Sequence, residues 1–127
     1  MKQTHKLLLG LTTLLMLACS GSSLYQGDWK VTDTDGNKST ISFDANKFYF
    51  TDNNGEQEEF EYNQNSVVIE NGIRTYGIRL ADGRNFYINF PLANDTTRAV
   101  ISDANDNLIY VMGRNEYLVY DDIFKLK

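Results

Sequence analysis

The stretch Ile73-Arg-Thr-Tyr-Gly-Ile-Arg-Leu-Ala-Asp-Gly-Arg-Asn-Phe-Tyr-Ile-Asn-Phe90 decides the fold. Its apolar side chains alternate with polar ones on both sides of Asp82-Gly83, a dipeptide that favours a tight hairpin turn. Alternation with a period of two predicts strands with one buried and one wet face, which is typical of antiparallel sheet. The stretch therefore predicts two antiparallel strands joined by a short turn.

The rest of the chain after position 23 repeats this design. Further turn dipeptides stand at Asp35-Gly36, Asn54-Gly55 and Asn71-Gly72, and short runs rich in β-branched and aromatic residues separate them. We expect about eight or nine strands, with some neighbouring segments joined in one bent strand, and a helix only within 121–127. The segments that indicate strands are 28–34, 39–44, 47–52, 57–63, 66–70, 74–81, 85–91, 97–103, 107–113 and 116–121.

Consecutive short strands joined by tight turns predict an all-β antiparallel meander. Such a meander removes its free edges best by closing into a small up-and-down barrel. Two runs, Val67-Val68-Ile69 and Leu108–Met112, are apolar at successive positions and hence on both faces. We therefore expect them in covered parts of the sheet.

The N-terminus has the composition of a secretion signal. Lys2 and Lys6 precede an apolar run, Leu7–Leu17, and a small residue, Ala18, ends it. A helix of that length spans only about half a bilayer, which argues against a permanent membrane span. We expect residues 1–18 to be a removable signal.

The sequence Leu15-Met16-Leu17-Ala18-Cys19 resembles the lipobox of bacterial lipoproteins, with Met16 where leucine is commoner. The resemblance implies cleavage before Cys19, a diacylglycerol on its thiol, and a stable anchor in the membrane. Ser20 follows the cysteine, which in that family favours the outer membrane and leaves open which face the protein occupies. We expect a flexible tether at 19–23 and one domain at 24–127; an ordinary signal with an incidental cysteine is the alternative.

Residue types exclude several functions for the part after the signal. Cys19 is the only cysteine and His5 the only histidine of the 127 residues, so we expect no zinc, iron or copper site and no cofactor. Catalysis by a serine–histidine or cysteine–histidine pair is also excluded. The chain is acidic, with formal net charge −5 before Lys2 and Lys6 are removed, which argues against nucleic-acid binding.

Acidic clusters have a catalytic or metal-binding interpretation and a plainer one. Asp33–Asn37 and Asp103–Asn107 resemble fragments of calcium loops, but hairpin turns use the same residues for backbone reasons. Paired carboxylates could hydrolyse a glycoside, whereas a charged strand also discourages aggregation. We expect the plainer interpretation for the turns and for Glu56, Glu58, Glu59 and Glu61.

The segment from Leu24 to Val31, Leu-Tyr-Gln-Gly-Asp-Trp-Lys-Val, resembles the Gly-x-Trp opening of lipocalins and lipocalin-like lipoproteins. The resemblance implies an eight-stranded barrel whose closed end is plugged by Trp29. Alternatively, Trp29 is a structural residue of another meander or of a sandwich. The domain is also shorter than a typical lipocalin, which questions a roomy interior.

These observations lead to two main hypotheses of function. We expect a non-catalytic envelope lipoprotein whose barrel binds a macromolecular partner; the alternative is a lipocalin-like carrier of a small apolar ligand, and a carboxylate-only hydrolase comes third. A cavity above about 300 Å³ would favour the carrier. Candidate barrel-core or ligand-facing residues are Trp29, Phe43, Phe50, Tyr76, Phe86 and Phe90, and candidate partner-binding residues are Tyr49, Tyr87 and Tyr117.

Overall fold

A computed structural model describes residues 20–123, which form a closed barrel of eight antiparallel strands. Each strand pairs with the next, and β1 pairs with β8 to close the barrel. The strands are β1 (Gly27–Asp33), β2 (Lys38–Phe43), β3 (Lys47–Thr51), β4 (Gln57–Glu70), β5 (Ile73–Leu80), β6 (Asn85–Phe90), β7 (Arg98–Asp103) and β8 (Leu108–Gly113), followed by a short helix α1 (Tyr120–Ile123). The predicted all-β up-and-down barrel is confirmed.

The ten expected segments correspond to eight strands, in agreement with the expected eight or nine, because one neighbouring pair is joined and one segment is not a strand. Segments 57–63 and 66–70 form the single strand β4, because a bulge between Gln64 and Ser66 interrupts the alternation without ending the pairing with β5. Segment 116–121 is not a strand: the chain after β8 runs over the outside of the barrel and enters α1. Among residues 20–123, no helix is long and apolar enough to cross a membrane.

Four turns at one end of the barrel, here called the hairpin end, share one design. The first residue donates its N–H to the carbonyl of the fifth, and the fourth residue donates to the carbonyl of the first. The fourth residue has positive φ in every case, which glycine adopts without strain; Asp106 takes that place in the last turn. The turns are Asp33–Asn37, Asp52–Glu56, Leu80–Arg84 and Asp103–Asn107.

Aromatic side chains fill the opposite end of the barrel, here called the base. Trp29 is 1% exposed, its ring lies 6.2 Å from that of Phe90, and its indole Nε1 donates to the carbonyl of Tyr25 at 2.9 Å. Tyr25 is also fully buried and packs against Tyr76, with 5.2 Å between ring centroids. Burial raises the pKa of Tyr25 to about 12. The base is therefore closed by packed rings.

Residues 20–23 do not form the free tether that the sequence suggested. Gly21 is buried, and its N–H donates to the carbonyl of Ala45 at 2.6 Å. The N–H of Ser22 donates to Oε1 of Gln64 at 2.8 Å. A Cβ added at Gly21 would collide with the hydroxyls of Tyr62 and Tyr25, so a larger residue there would displace these side chains. The folded body thus includes Gly21 and Ser22, which precede the expected start at Leu24.

Of the two runs that are apolar at successive positions, Leu108–Met112 is covered and Val67-Val68-Ile69 is exposed. In β8, Val111 and Met112 are buried, and the C-terminal segment covers the outer face, where Val111 clusters with Leu118 and Ile123; this expectation is confirmed. The expectation for Val67-Val68-Ile69 is wrong, because these side chains are 50%, 50% and 56% exposed.

Candidate functional site

A cavity of about 370 Å³ occupies the barrel interior between the aromatic base and the hairpin end. Residues from every strand between β2 and β8 line it, so it is a property of the closed barrel rather than of one hairpin. Arg84 and Glu58, at or beside hairpin-end turns, are lining residues and are exposed. The cavity therefore opens at the hairpin end. Its apolar lining residues are Ile41, Phe43, Phe48, Phe50, Phe60, Ile78, Leu80, Phe86, Ile101, Ile109 and Tyr110.

Aromatic rings form much of the cavity wall. Phe48 stacks on Phe60 with 5.0 Å between centroids, and Phe43 lies 5.3 Å from Phe48. Across the interior, Phe50 contacts Tyr110 at 5.7 Å. Such a wall offers dispersion and ring-edge contacts to an apolar or planar guest.

Two opposite charges flank the opening. The Arg84 guanidinium binds Asp82, with 2.8 Å between Nη2 and Oδ2, and lies 5.7 Å and 5.8 Å from the rings of Phe60 and Phe86. The hydrogen bond to Asp82 raises the pKa of Arg84, and the charge of Glu58 adds to this effect. The rim therefore keeps a positive group on an aromatic surface beside a carboxylate.

Tyr110 contributes a phenol to the cavity wall. Burial raises the pKa of Tyr110, and the nearby negative charges of Asp33 and Glu58 act in the same direction. The Tyr110 hydroxyl consequently stays protonated at neutral pH and is available as a hydrogen-bond donor to a guest.

The structure divides the six expected core or ligand-facing residues into two groups. Phe43, Phe50 and Phe86 line the cavity. The other three, Trp29, Tyr76 and Phe90, pack in the base and do not line it.

Several cavity residues were missed from the sequence. Phe48 and Phe60 carried a usable signal, since each alternates in phase with a neighbouring apolar residue. Ile109 and Tyr110 carried none. Ile101 pairs with Tyr110 and Ser102 with Leu108, so Ile109 is an extra, bulged residue, and this brings two consecutive side chains to the cavity.

The expected partner-binding tyrosines do not form one patch. Tyr49 lies in a groove outside β1–β3, whereas Tyr87 lies in another groove outside β5–β8. Tyr117 belongs to the segment after β8, where the ammonium groups of Lys30 and Lys38 lie 5.7 Å and 5.2 Å from its ring centroid.

The carboxylates of Asp33 and Asp103 accept hydrogen bonds from backbone N–H groups of their own turns. Oδ1 of Asp33 accepts the N–H groups of Asp35 and Asn37, both at 2.9 Å, and its Oδ2 accepts the Asn37 side chain at 3.0 Å. Asp103 makes the same three bonds within its own turn. Among residues 20–123, no group of three or more histidine, cysteine or acidic residues is arranged to hold a metal ion.

The glutamate cluster is divided by the strand it lies on. Glu59 faces outward and pairs with Lys47 across strands, with 3.5 Å between charged atoms. Glu58 is the only one of the four glutamates among the cavity-lining residues. The structure therefore does not bring a pair of these carboxylates together at the cavity.

Three arginines have side-chain partners of two kinds. Arg84 and Arg98 pair with Asp82 and Asp95, which lie close to them in sequence. Arg114 instead covers Trp29, with its guanidinium carbon 3.8 Å from the ring centroid.

Fold and site together define a closed up-and-down β-barrel with an aromatic base and an apolar interior cavity that opens at the hairpin end. No family model matches the chain, and no curated protein matches it in sequence.

Proposed function

We propose that this barrel is a non-catalytic carrier that binds a small, mainly apolar ligand in its interior. The observation that supports the proposal is the cavity of about 370 Å³, which falls within the usual size of small-molecule sites and is lined chiefly by aliphatic and aromatic side chains. Burial of apolar surface in such a site supplies the affinity.

The ligand chemistry follows from the wall and the rim. A planar or branched apolar body fits between rings such as Phe48, Phe50 and Phe86. One polar end remains at the opening, where Arg84 and Glu58 offer opposite charges and Tyr110 offers a hydroxyl. The ligand class is therefore a small amphipathic molecule with its apolar part inside the barrel.

Binding of N-phenyl-1-naphthylamine, a neutral apolar fluorophore, to residues 20–127 tests this proposal. We expect saturable binding with one dye per chain. Ile109→Trp should weaken it about tenfold or more, a loss of about 1.4 kcal/mol, because the larger ring occupies cavity volume. Ile69→Trp, the same exchange outside the cavity, should bind as the unmodified protein does. Equal affinities of the two variants, or no binding at all, would contradict the carrier.

Binding of a macromolecular partner remains a prediction from the sequence. Tyr49 and Tyr87 lie in different grooves on the barrel wall, and Tyr117 is engaged with lysine ammonium groups. Three separate tyrosines give weaker support to a partner site than one continuous cavity gives to a carrier.

The second part of the proposal is the location of the carrier, which we infer to be the outer membrane, anchored by lipid on Cys19. Support comes from the lipobox-like sequence, and Cys19 lies outside the described residues. We expect Cys19→Ser to abolish incorporation of a clickable fatty acid in growing cells, because Cys19 is the only thiol. Ser20→Ala is the control and should retain the label. Label on the Cys19→Ser protein would refute the anchor.

A further inference from the structure

The far part of the β4–β5 hairpin projects from the barrel. β3 pairs with β4 only as far as Glu61, and from Asn63 to Glu70 the described strands leave β4 paired with β5 alone. This part carries Val67, Val68 and Ile69, each at least half exposed.

The exposed side chains point to both faces of the hairpin. Val67 is paired with Tyr76, whose side chain is in the core, whereas Val68 is paired with Thr75 on the outer face. Directly paired residues share a face of the sheet. The hairpin therefore presents apolar side chains on two sides, and in the part of the chain that the structure describes half or more of each of these side chains is exposed.

The hairpin lies beside the point where the chain enters the fold. Ser22 donates its hydroxyl to that of Tyr76 at 3.4 Å, and Tyr76 is the residue paired with Val67. The bond from Ser22 to Gln64 and that from Gly21 to Ala45 hold the same segment to this end of the barrel. Cys19 is thus close in sequence to Ser22, which contacts the β4–β5 hairpin where it leaves the barrel.

Very little chain separates Gly21 from the proposed lipid anchor. Cys19 and Ser20 together reach at most about 7 Å when fully extended. A lipid on Cys19 would hold this end of the barrel close to the bilayer surface, with the hairpin beside the anchor.

We propose that Val67, Val68 and Ile69 insert into the interfacial layer of the membrane and fix the orientation of the barrel, so that the cavity opens away from the bilayer. This inference rests on the Cys19 anchor and is independent of ligand binding. Because the chain is acidic, the recognised surface is apolar and zwitterionic lipid rather than anionic headgroups.

Lipid explains the exposed side chains better than a second copy of the chain does. Strand addition along the free edge of β4 would satisfy backbone groups but leave side chains on both faces largely uncovered. Immersion in a lipid interface covers both faces at once, and the hydrated headgroup layer can still hydrogen-bond the backbone edge.

The test uses the full protein, extracted from membranes, checked by mass for its acyl groups and reconstituted into phosphatidylcholine–phosphatidylethanolamine vesicles containing brominated phosphatidylcholine. In Val68→Trp we expect bromine to reduce the emission of the new tryptophan by roughly twofold or more, since the ring lies within the lipid. Tyr87→Trp, at an exposed position on the barrel wall, is the matched control and should show no added quenching. Trp29 is buried and present in both variants, so it contributes the same background fluorescence to each.

Each remaining outcome overturns the inference in a different way. A chain without acyl groups refutes the anchor, and with it the reason to place the hairpin at a membrane. An acylated chain without bromine quenching at position 68 refutes the hairpin insertion and leaves the anchor standing. A blue shift of the tryptophan at position 68 without bromine quenching, reversed when the protein is diluted into excess lipid, shows that a second copy covers the hairpin.

Discussion

At the scale of single residues, the pairing of Trp29 with Arg114 holds the base together. The Arg114 guanidinium lies on the indole and donates to the carbonyls of Asp28, Leu24 and Gln26 at 3.1, 3.0 and 2.7 Å. Burial lowers the pKa of Arg114, yet a guanidinium stays charged at neutral pH. The Arg114 side chain therefore links the end of β8 to residues 24–28 at the base of the barrel.

Replacing Trp29 tests this arrangement. Trp29→Ala should destabilise the protein by roughly 3–5 kcal/mol, because it removes a buried ring and leaves a cavity in packed surroundings. Tyr87→Ala, on the outer wall and 40% exposed, should cost no more than about 1 kcal/mol. Urea unfolding followed by circular dichroism measures both. Similar small losses would mean that Trp29 contributes little to the base.

At the scale of elements, the hairpin-end turns show which local signals the sequence carries. Asp-Gly and Asn-Gly dipeptides located three of these four turns, because positive φ favours glycine at one fixed place. They did not reveal the turn type. Only Asn71-Gly72, at the other end of the barrel, has positive φ at both residues, whereas Asp35, Asn54 and Asp82 precede a single left-handed residue.

The carboxylates in these turns predict a pH effect. Hydrogen bonds from Asn37 hold the pKa of Asp33 below its ordinary value, so its stabilisation is present above about pH 4 and is lost as the pH falls through the folded-state pKa. Asp33→Asn keeps an acceptor oxygen but does not titrate. We expect its melting temperature to fall less between pH 6 and pH 3 than that of the unmodified protein.

The matched control for this experiment is in the same turn. Asp35→Asn removes an equal charge, but the turn's hydrogen bonds are accepted by Asp33 rather than by Asp35. It should therefore retain the acid sensitivity of the unmodified protein. Identical pH profiles for the two variants would show that the Asp33 carboxylate does not stabilise the turn.

Strand positions were predictable from the alternation, but the faces to which side chains point were not predictable where a bulge changes its phase. The bulge between Gln64 and Ser66 splits the pattern of β4, and the bulge at Ile109 turns two consecutive side chains toward the interior. A doubly apolar run is also ambiguous, since it fits a covered strand such as β8 and a projecting hairpin equally well. Whether such a run is covered or exposed depends on the elements that pack beside it, and a local sequence pattern carries no information about them.

At the scale of the whole molecule, strand number and closure followed from the sequence, but the cavity did not. An eight-stranded barrel is at the size where side chains either fill the interior or leave room for a small ligand. Aromatic residues were expected inside. Whether they fill the interior depends on strand stagger and ring orientation, and here Trp29, Tyr76 and Phe90 fill the base while Phe43, Phe50 and Phe86 border open space.

The closing pair of strands also governs when the barrel can fold. β1 pairs with β8 from Lys30↔Gly113 to Asp33↔Tyr110, so the first strand made must wait for the last. Until the last strand is in place, β1 has one unpaired edge and the apolar interior is open, a state that favours association with other chains. Closing so long a loop is also entropically costly, so we expect barrel closure to be the late, slow step of folding, after the local hairpins have formed.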